Sequence, residues 1–146
     1  MLYSSDIQLI KPKKRWQAVN HSVLQQKNIQ LWLCHLDTGL PEVSGNKCLK
    51  LKYHLLQVVQ SGFAGVVTFG GAYSNHLCAV AASCHAMGLK SVAYVRTDEL
   101  DITNPTLAFC QQQGMRLIAL DRGSYRQRSE PAFITGITAS HPDLLL

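Results

Sequence analysis

From about Ile29 onward, short apolar runs alternate with longer segments of helical period, and this alternation restricts the chain to a layered α/β fold. Ile29–Leu33 reads as a strand, followed by a polar loop with Gly and Pro from Asp37 to Asn46. Over Lys47–Gln60 the apolar residues Cys48, Leu51, Leu55, Val58 and Val59 fall three and four apart, which puts them on one helical face. Gly62 is placed to end that helix in the left-handed conformation that side chains disfavour. Val66–Phe69 is continuous in bulk, as a strand covered on both faces should be. Gly70-Gly71 then turns into a helix predicted over His76–Met87, whose Ala, Ser and Cys side chains are small enough to lie close against a sheet. Ser91–Val95 is the next strand. Asn104-Pro105 starts a helix, with Asn capping and Pro at the first position, that runs to Gln113; Met115–Leu120 is the strand after it. Strands joined by single helices imply right-handed βαβ units, and so a parallel sheet with helices on both faces.

Composition agrees with a packed domain. Of 146 residues, 47% are hydrophobic and only 16% charged, which suits one core and excludes a disordered chain. No apolar run approaches the roughly 20 residues of a membrane-spanning helix. The stretch from Met1 to Gln30 lacks the pattern of a secretory signal, so a cytoplasmic location without membrane partners is expected. The five cysteines are odd in number and show no Cys-x-x-Cys spacing; neither a disulfide framework nor a metal site is indicated.

The formal charge is +5, and Lys11, Lys13, Lys14 and Arg15 cluster near the start. Such a cluster can hold nucleic-acid phosphates. Without interleaved aromatic residues it reads better as a solvated, frayed terminus, and nucleic acid is not expected as a partner. The chain thus divides into a basic N-terminal segment, residues 1–28, and an α/β domain, residues 29–146. Asp143–Leu146 looks like the opening of a further buried strand, from which a truncated chain is expected.

In parallel α/β sheets, ligands bind where strands end and helices begin. Two loops at such points have unusual content. In the loop from Gly70 to His76, two glycines allow close approach to the backbone, and Ser74 and Asn75 sit at a helix start that favours an anion. The same residues could simply turn the chain and cap the helix. It is neither a Walker loop nor a Rossmann Gly-x-Gly-x-x-Gly. In the loop Ser44-Gly45-Asn46-Lys47, the lysine stands at a helix N-terminus, where the dipole disfavours a cation. It is either an exposed chance lysine or an amine that the dipole, desolvation and Lys50 at i+3 help to deprotonate, ready to condense with an aldehyde.

The stretch Ser44-Gly45-Asn46-Lys47-Cys48-Leu49-Lys50-Leu51-Lys52-Tyr53 is similar to Gly-Asn-Lys-x-Arg-Lys-Leu-x-Tyr of the 1-aminocyclopropane-1-carboxylate deaminase / D-cysteine desulfhydrase family. Gly70-Gly71-Ala72-Tyr73-Ser74-Asn75-His76 resembles that family's Gly-x-x-Ser-Asn-His/Gln loop at the expected separation, and Asn104–Leu107 and Ser124–Arg126 look like later landmarks. The resemblance implies a pyridoxal-phosphate (PLP) enzyme of the tryptophan-synthase-like fold, fold type II. It implies that Lys47 holds the cofactor as a Schiff base and moves protons, and that Asn75 contacts the cofactor ring oxygen. Ser74 would bind or act on the substrate, and Asn75 and His76 would also face it. Tyr73 is a weaker candidate from the same loop. The implied substrate is a small amino acid. The implied products are 2-oxobutyrate and ammonia from the cyclopropane compound, or pyruvate, sulfide and ammonia from D-cysteine. The family also suggests a homo-oligomer.

The departures are specific. Leu49 stands where the family has arginine, and Cys34-His35-Leu36-Asp37 keeps only the final acid of a Lys-Arg-Asp/Glu-Asp stretch. The family chain is about twice as long, and its second half supplies the glycine-rich phosphate cup. The expectation is therefore the N-terminal half of such an enzyme, inactive alone; the alternative is a non-catalytic remnant without PLP chemistry. His35, His54, His85 and His141 have no ligand-like spacing and read as structural.

Overall fold

The computed structural model describes residues 12–43 and 46–146. Its centre is a four-stranded parallel sheet. The strands are β3 (Gly65–Gly71), β4 (Lys90–Arg96), β5 (Arg116–Leu120) and β6 (Leu144–Leu145), in the spatial order β5-β4-β3-β6. The helices α2 (Asn46–Ser61), α3 (Asn75–Ala86) and α4 (Pro105–Gln112) connect or precede the strands, and α5 (Arg122–Arg126) and α6 (Pro131–Ser140) follow β5. The order of strands and helices from β3 to β5 is the one read from periodicity. The strand expected over Asp143–Leu146 is present as β6, paired with Gly65 and Val66 of β3.

The two faces of the sheet carry separate cores, because alternate residues of a strand point to opposite sides. On one face, Val66, Ala93 and Val95 pack with Leu51, Leu55 and Val58 of α2, Leu77 and Val80 of α3, and Leu107 of α4. On the other, Val67 and Val92 pack with Ile137 of α6 and Leu144, with Phe69, Tyr94 and Phe133 around them. The arrangement is α/β with helices on both sheet faces.

Local signals account for the element ends. Gly62 has φ +72°, the left-handed turn that closes α2. Asn104 caps α4, its Oδ1 accepting from the N–H groups of Thr106 at 2.9 Å and Leu107 at 3.3 Å. The short helices α5 and α6 go beyond the sequence reading. Asp121 starts α5 by accepting from the N–H groups of Gly123 and Ser124, and Pro131 opens α6.

The N-terminal region departs from expectation. Lys13–Val19 forms a strand, β1, and Ser22–Gln26 a short helix, α1, so Lys13, Lys14 and Arg15 do not belong to a frayed terminus; Lys11 lies outside the described residues. The strand expected at Ile29–Leu33 runs instead over Leu31–Asp37, as β2. It pairs antiparallel with β1 in a separate two-stranded ribbon and takes no part in the parallel sheet. Register within one strand can be read locally. Its partner cannot, since pairing is set by residues distant in sequence. Cys34, on this ribbon, is exposed, whereas Cys84 and Cys110 are buried in the core.

Candidate functional site

The C-terminal end of β3 leads through Gly70 and Gly71 into α3. Gly70 is required by packing. A Cβ there would stand 2.6 Å from Leu77 Cγ, and Leu77 is fully buried on the first turns of α3. The missing side chain lets the helix start lie directly on the strand end. The turn between them is closed by the Ser74 N–H donating to the Gly71 carbonyl at 3.1 Å.

Ser74 is the N-cap residue of α3, but its hydroxyl makes no capping hydrogen bond. Its carbonyl accepts from Leu77 N at 3.0 Å and Cys78 N at 3.4 Å. The N–H groups of Asn75 and His76 have no backbone partner among the described residues, as expected in a first helical turn. Asn75 is exposed, and Ser74 and His76 are half-buried. The His76 ring is fixed by a 2.9 Å hydrogen bond between Nε2 and Oγ1 of Thr68 on β3.

Lys47 is the second residue of α2 and half-buried; Ser44 and Gly45 of its motif lie outside the described residues. α2 brings its first turns alongside the start of α3. Burial, and after it the positive charges of Lys47, His54 and Lys50, push the His76 imidazole below its ordinary value of 6.5. Lys47, Lys50 and His54 recur at spacings of three and four, which puts them on one face of α2, and His54 lines a cavity together with His76.

Two hollows adjoin this turn. A cavity of about 150 Å³ lies beside His76, lined also by Leu51, His54, Thr68, Val80 and Leu146. A more open cleft of about 430 Å³ is lined by Gly71, Ala72, Tyr73, Ser74, Arg96 and Arg122. The structure therefore brings Lys47 near His76, and Ser74 beside Tyr73 in the second cleft. Lys47 and Asn75 line neither hollow.

The sequence read His54 as structural and assigned no role to Thr68, Arg96 or Arg122. His54 had a usable signal, its position seven residues from Lys47 on the same helical face. The arginines had none, because β4 and α5 meet at this cleft only through the sheet order. Among the described residues, no group of three or more His, Cys, Asp or Glu could hold a metal ion, and no helix is long and apolar enough to cross a membrane.

No protein-family profile matches the chain. A stretch of 71 residues, 49% of the chain, is 35% identical to the mitochondrial bifunctional D-cysteine desulfhydrase/1-aminocyclopropane-1-carboxylate deaminase of Arabidopsis thaliana, covering 18% of that protein. A stretch of 87 residues, 60% of the chain, is 33% identical to a Thermotoga maritima protein provisionally named 1-aminocyclopropane-1-carboxylate deaminase, covering 28% of it. The matched stretches thus span less than a third of either relative's own length. Over these stretches the chain is similar to the two relatives, which together with the α/β fold supports a distant relation to 1-aminocyclopropane-1-carboxylate deaminases and D-cysteine desulfhydrases.

Proposed function

We propose that the chain carries the lysine-bearing part of a PLP-dependent site acting on a small amino acid, in the manner of a deaminase or desulfhydrase. The observation that supports this reading is the packing of α2 against the start of α3, where Leu51 and His54 line one cavity with His76, so that the two loops resembling the family's motifs open neighbouring helices.

The residues present fit the group by chemical type. They offer a primary amine at the start of α2, a Ser74 hydroxyl not used in capping, and two N–H groups, of Asn75 and His76, without a backbone partner among the described residues. Lys47 would hold the cofactor aldehyde, and Asn75 would contact its ring. Bound there, PLP would supply an electron sink for the carbanion of the substrate. Lys47 Nζ would move the proton at the substrate Cα. The Ser74 hydroxyl and the free N–H groups of the turn would bind the substrate carboxylate, an anion that a helix start favours. His76, made harder to protonate by its surroundings and held by Thr68, would line the substrate side as a neutral ring.

One observation favours a second reading, a domain without this chemistry: Lys47 lines neither hollow beside the turn. Incubation with PLP, borohydride reduction and peptide mapping separate the two. Label confined to Lys47, and lost in Lys47→Ala, supports the cofactor reading. Label absent, or spread over surface lysines, supports the second. Keto-acid release from D-cysteine and from 1-aminocyclopropane-1-carboxylate then tests whether this chain turns over substrate by itself.

A further inference from the structure

Four of the chain's six arginines, Arg96, Arg122, Arg126 and Arg128, line one hollow of about 320 Å³ together with Tyr125. They come from the C-terminal end of β4 and from α5 and the turn after it, the side of the sheet where strands hand over to helices. All four are exposed, so solvent screens much of their mutual repulsion, and the positive potential they share favours an anion among them.

No residue among those described supplies one. The ion pair present there is Lys90 with Asp143, at the opposite end of β4, and no carboxylate lies within salt-bridge distance of these four guanidinium groups. Asp121, next to Arg122, is committed elsewhere. Its Oδ1 accepts from Gly123 N at 2.8 Å and Ser124 N at 3.0 Å, and its Oδ2 from the Ser124 hydroxyl at 2.6 Å.

The hollow is also held in shape. The Tyr125 ring is set edge-on against Phe69 of β3, with centroids 6.3 Å apart. Two guanidinium groups sit by that ring, Arg96 Cζ at 5.4 Å and Arg128 Cζ at 4.8 Å from its centroid. Arg128 Nη1 also donates to the Tyr125 carbonyl at 3.2 Å. On the other strand, Arg96 pairs with Gly71, and a Cβ on that glycine would stand 3.7 Å from Arg96 Nη2. Arg96 and Arg122 line both this hollow and the Ser74 cleft, so the two are neighbours.

We propose that the hollow formed by Arg96, Arg122, Arg126 and Arg128 around Tyr125 binds a small phosphorylated molecule. A phosphate group brings close to two negative charges and three acceptor oxygens, which suits several planar donor forks better than one carboxylate does. The guanidinium forks supply the geometry, and contact with the Tyr125 ring helps to orient two of them. This site does not depend on the PLP reading, since it uses neither Lys47 nor Asn75.

Calorimetric titration of the full chain with inorganic pyrophosphate and with inorganic phosphate, at fixed ionic strength, tests it. Saturable binding is expected, weakened about ten-fold or more in Arg122→Ala/Arg126→Ala. The matching Lys pair should restore only part of the affinity, because charge returns without the fork. Lys47→Ala should leave the affinity within about two-fold of the unaltered chain, since no direct contact is removed. Both arginines are exposed, so the variants should keep the far-ultraviolet circular dichroism of the fold. No saturable binding, or binding unchanged by the arginine variants, overturns the proposal. So does salt-dependent binding of single-stranded RNA that pyrophosphate does not displace, which would make the patch a nucleic-acid surface.

Discussion

The Nε2 atom of His76 lies 2.9 Å from the hydroxyl oxygen of Thr68, which ties the first turn of α3 to the middle of β3. Around that bond the local charge is positive, from Lys47, His54 and Lys50 on α2. The imidazole thus reports on how closely α2 approaches the turn.

Removing the Lys47 charge should make His76 easier to protonate. In Lys47→Met, the His76 midpoint followed by NMR should move upward, toward the ordinary 6.5. An unchanged midpoint would mean that the amine does not act on the ring.

His76 should also give stability a pH dependence of definite sign. Its folded midpoint lies below the unfolded value of 6.5, so the unfolded chain takes up the proton first as pH falls. This contribution is present in full above about pH 6.5. It declines as pH drops through the interval down to the folded midpoint, and changes no further below it. Denaturant midpoints against pH should show that slope, and His76→Gln should flatten it.

Gly70→Ala should destabilise the domain by about 1–3 kcal/mol, because the new methyl must displace the buried Leu77 side chain. Leu77→Ala alone should cost about 2–5 kcal/mol through the cavity it leaves. Combined, the two should cost less than their sum, a coupling that chemical denaturation of the three variants would measure.

Alkylation should divide the cysteines. Burial pushes the Cys84 and Cys110 thiols up to about 12, leaving almost no thiolate at pH 8, while Cys34 is exposed. Timed iodoacetamide labelling with peptide mapping should modify Cys34 well before Cys84 or Cys110. Equal rates would contradict the burial.

Asn104→Ala should cost about 0.5–2 kcal/mol, toward the upper end, since the side chain is buried and serves two N–H groups of α4. Asn104→Asp should recover much of it. Thermal melts of the two variants provide the check.

Much of this architecture was legible locally. The i, i+3, i+4 run through Leu51, Leu55 and Val58 forecast a helix that does pack on the sheet, and the bulky Val66–Phe69 segment forecast a strand covered on both sides. Asn104-Pro105 and Gly62 marked helix ends through chemistry that needs no distant partner. The ribbon was not legible as such. Pairing Trp16 with Cys34 depends on two segments eighteen positions apart, and neither carries a turn signature strong enough to announce it. At the site, proximity of Lys47 to His76 was suggested only by motif resemblance. The meeting of Arg96 with Arg122 arises from sheet order, which no single segment encodes.

The ribbon has a practical consequence for spectroscopy. The chain's two tryptophans both lie on it, Trp16 on β1 and Trp32 on β2, with 60% and 54% of their surfaces in water. Intrinsic indole emission therefore watches the hairpin and is blind to the parallel sheet. A melt followed at those wavelengths records the ribbon coming apart, while loss of the helical signal records the core. The interval between the two transitions measures how independently these parts of the molecule unfold.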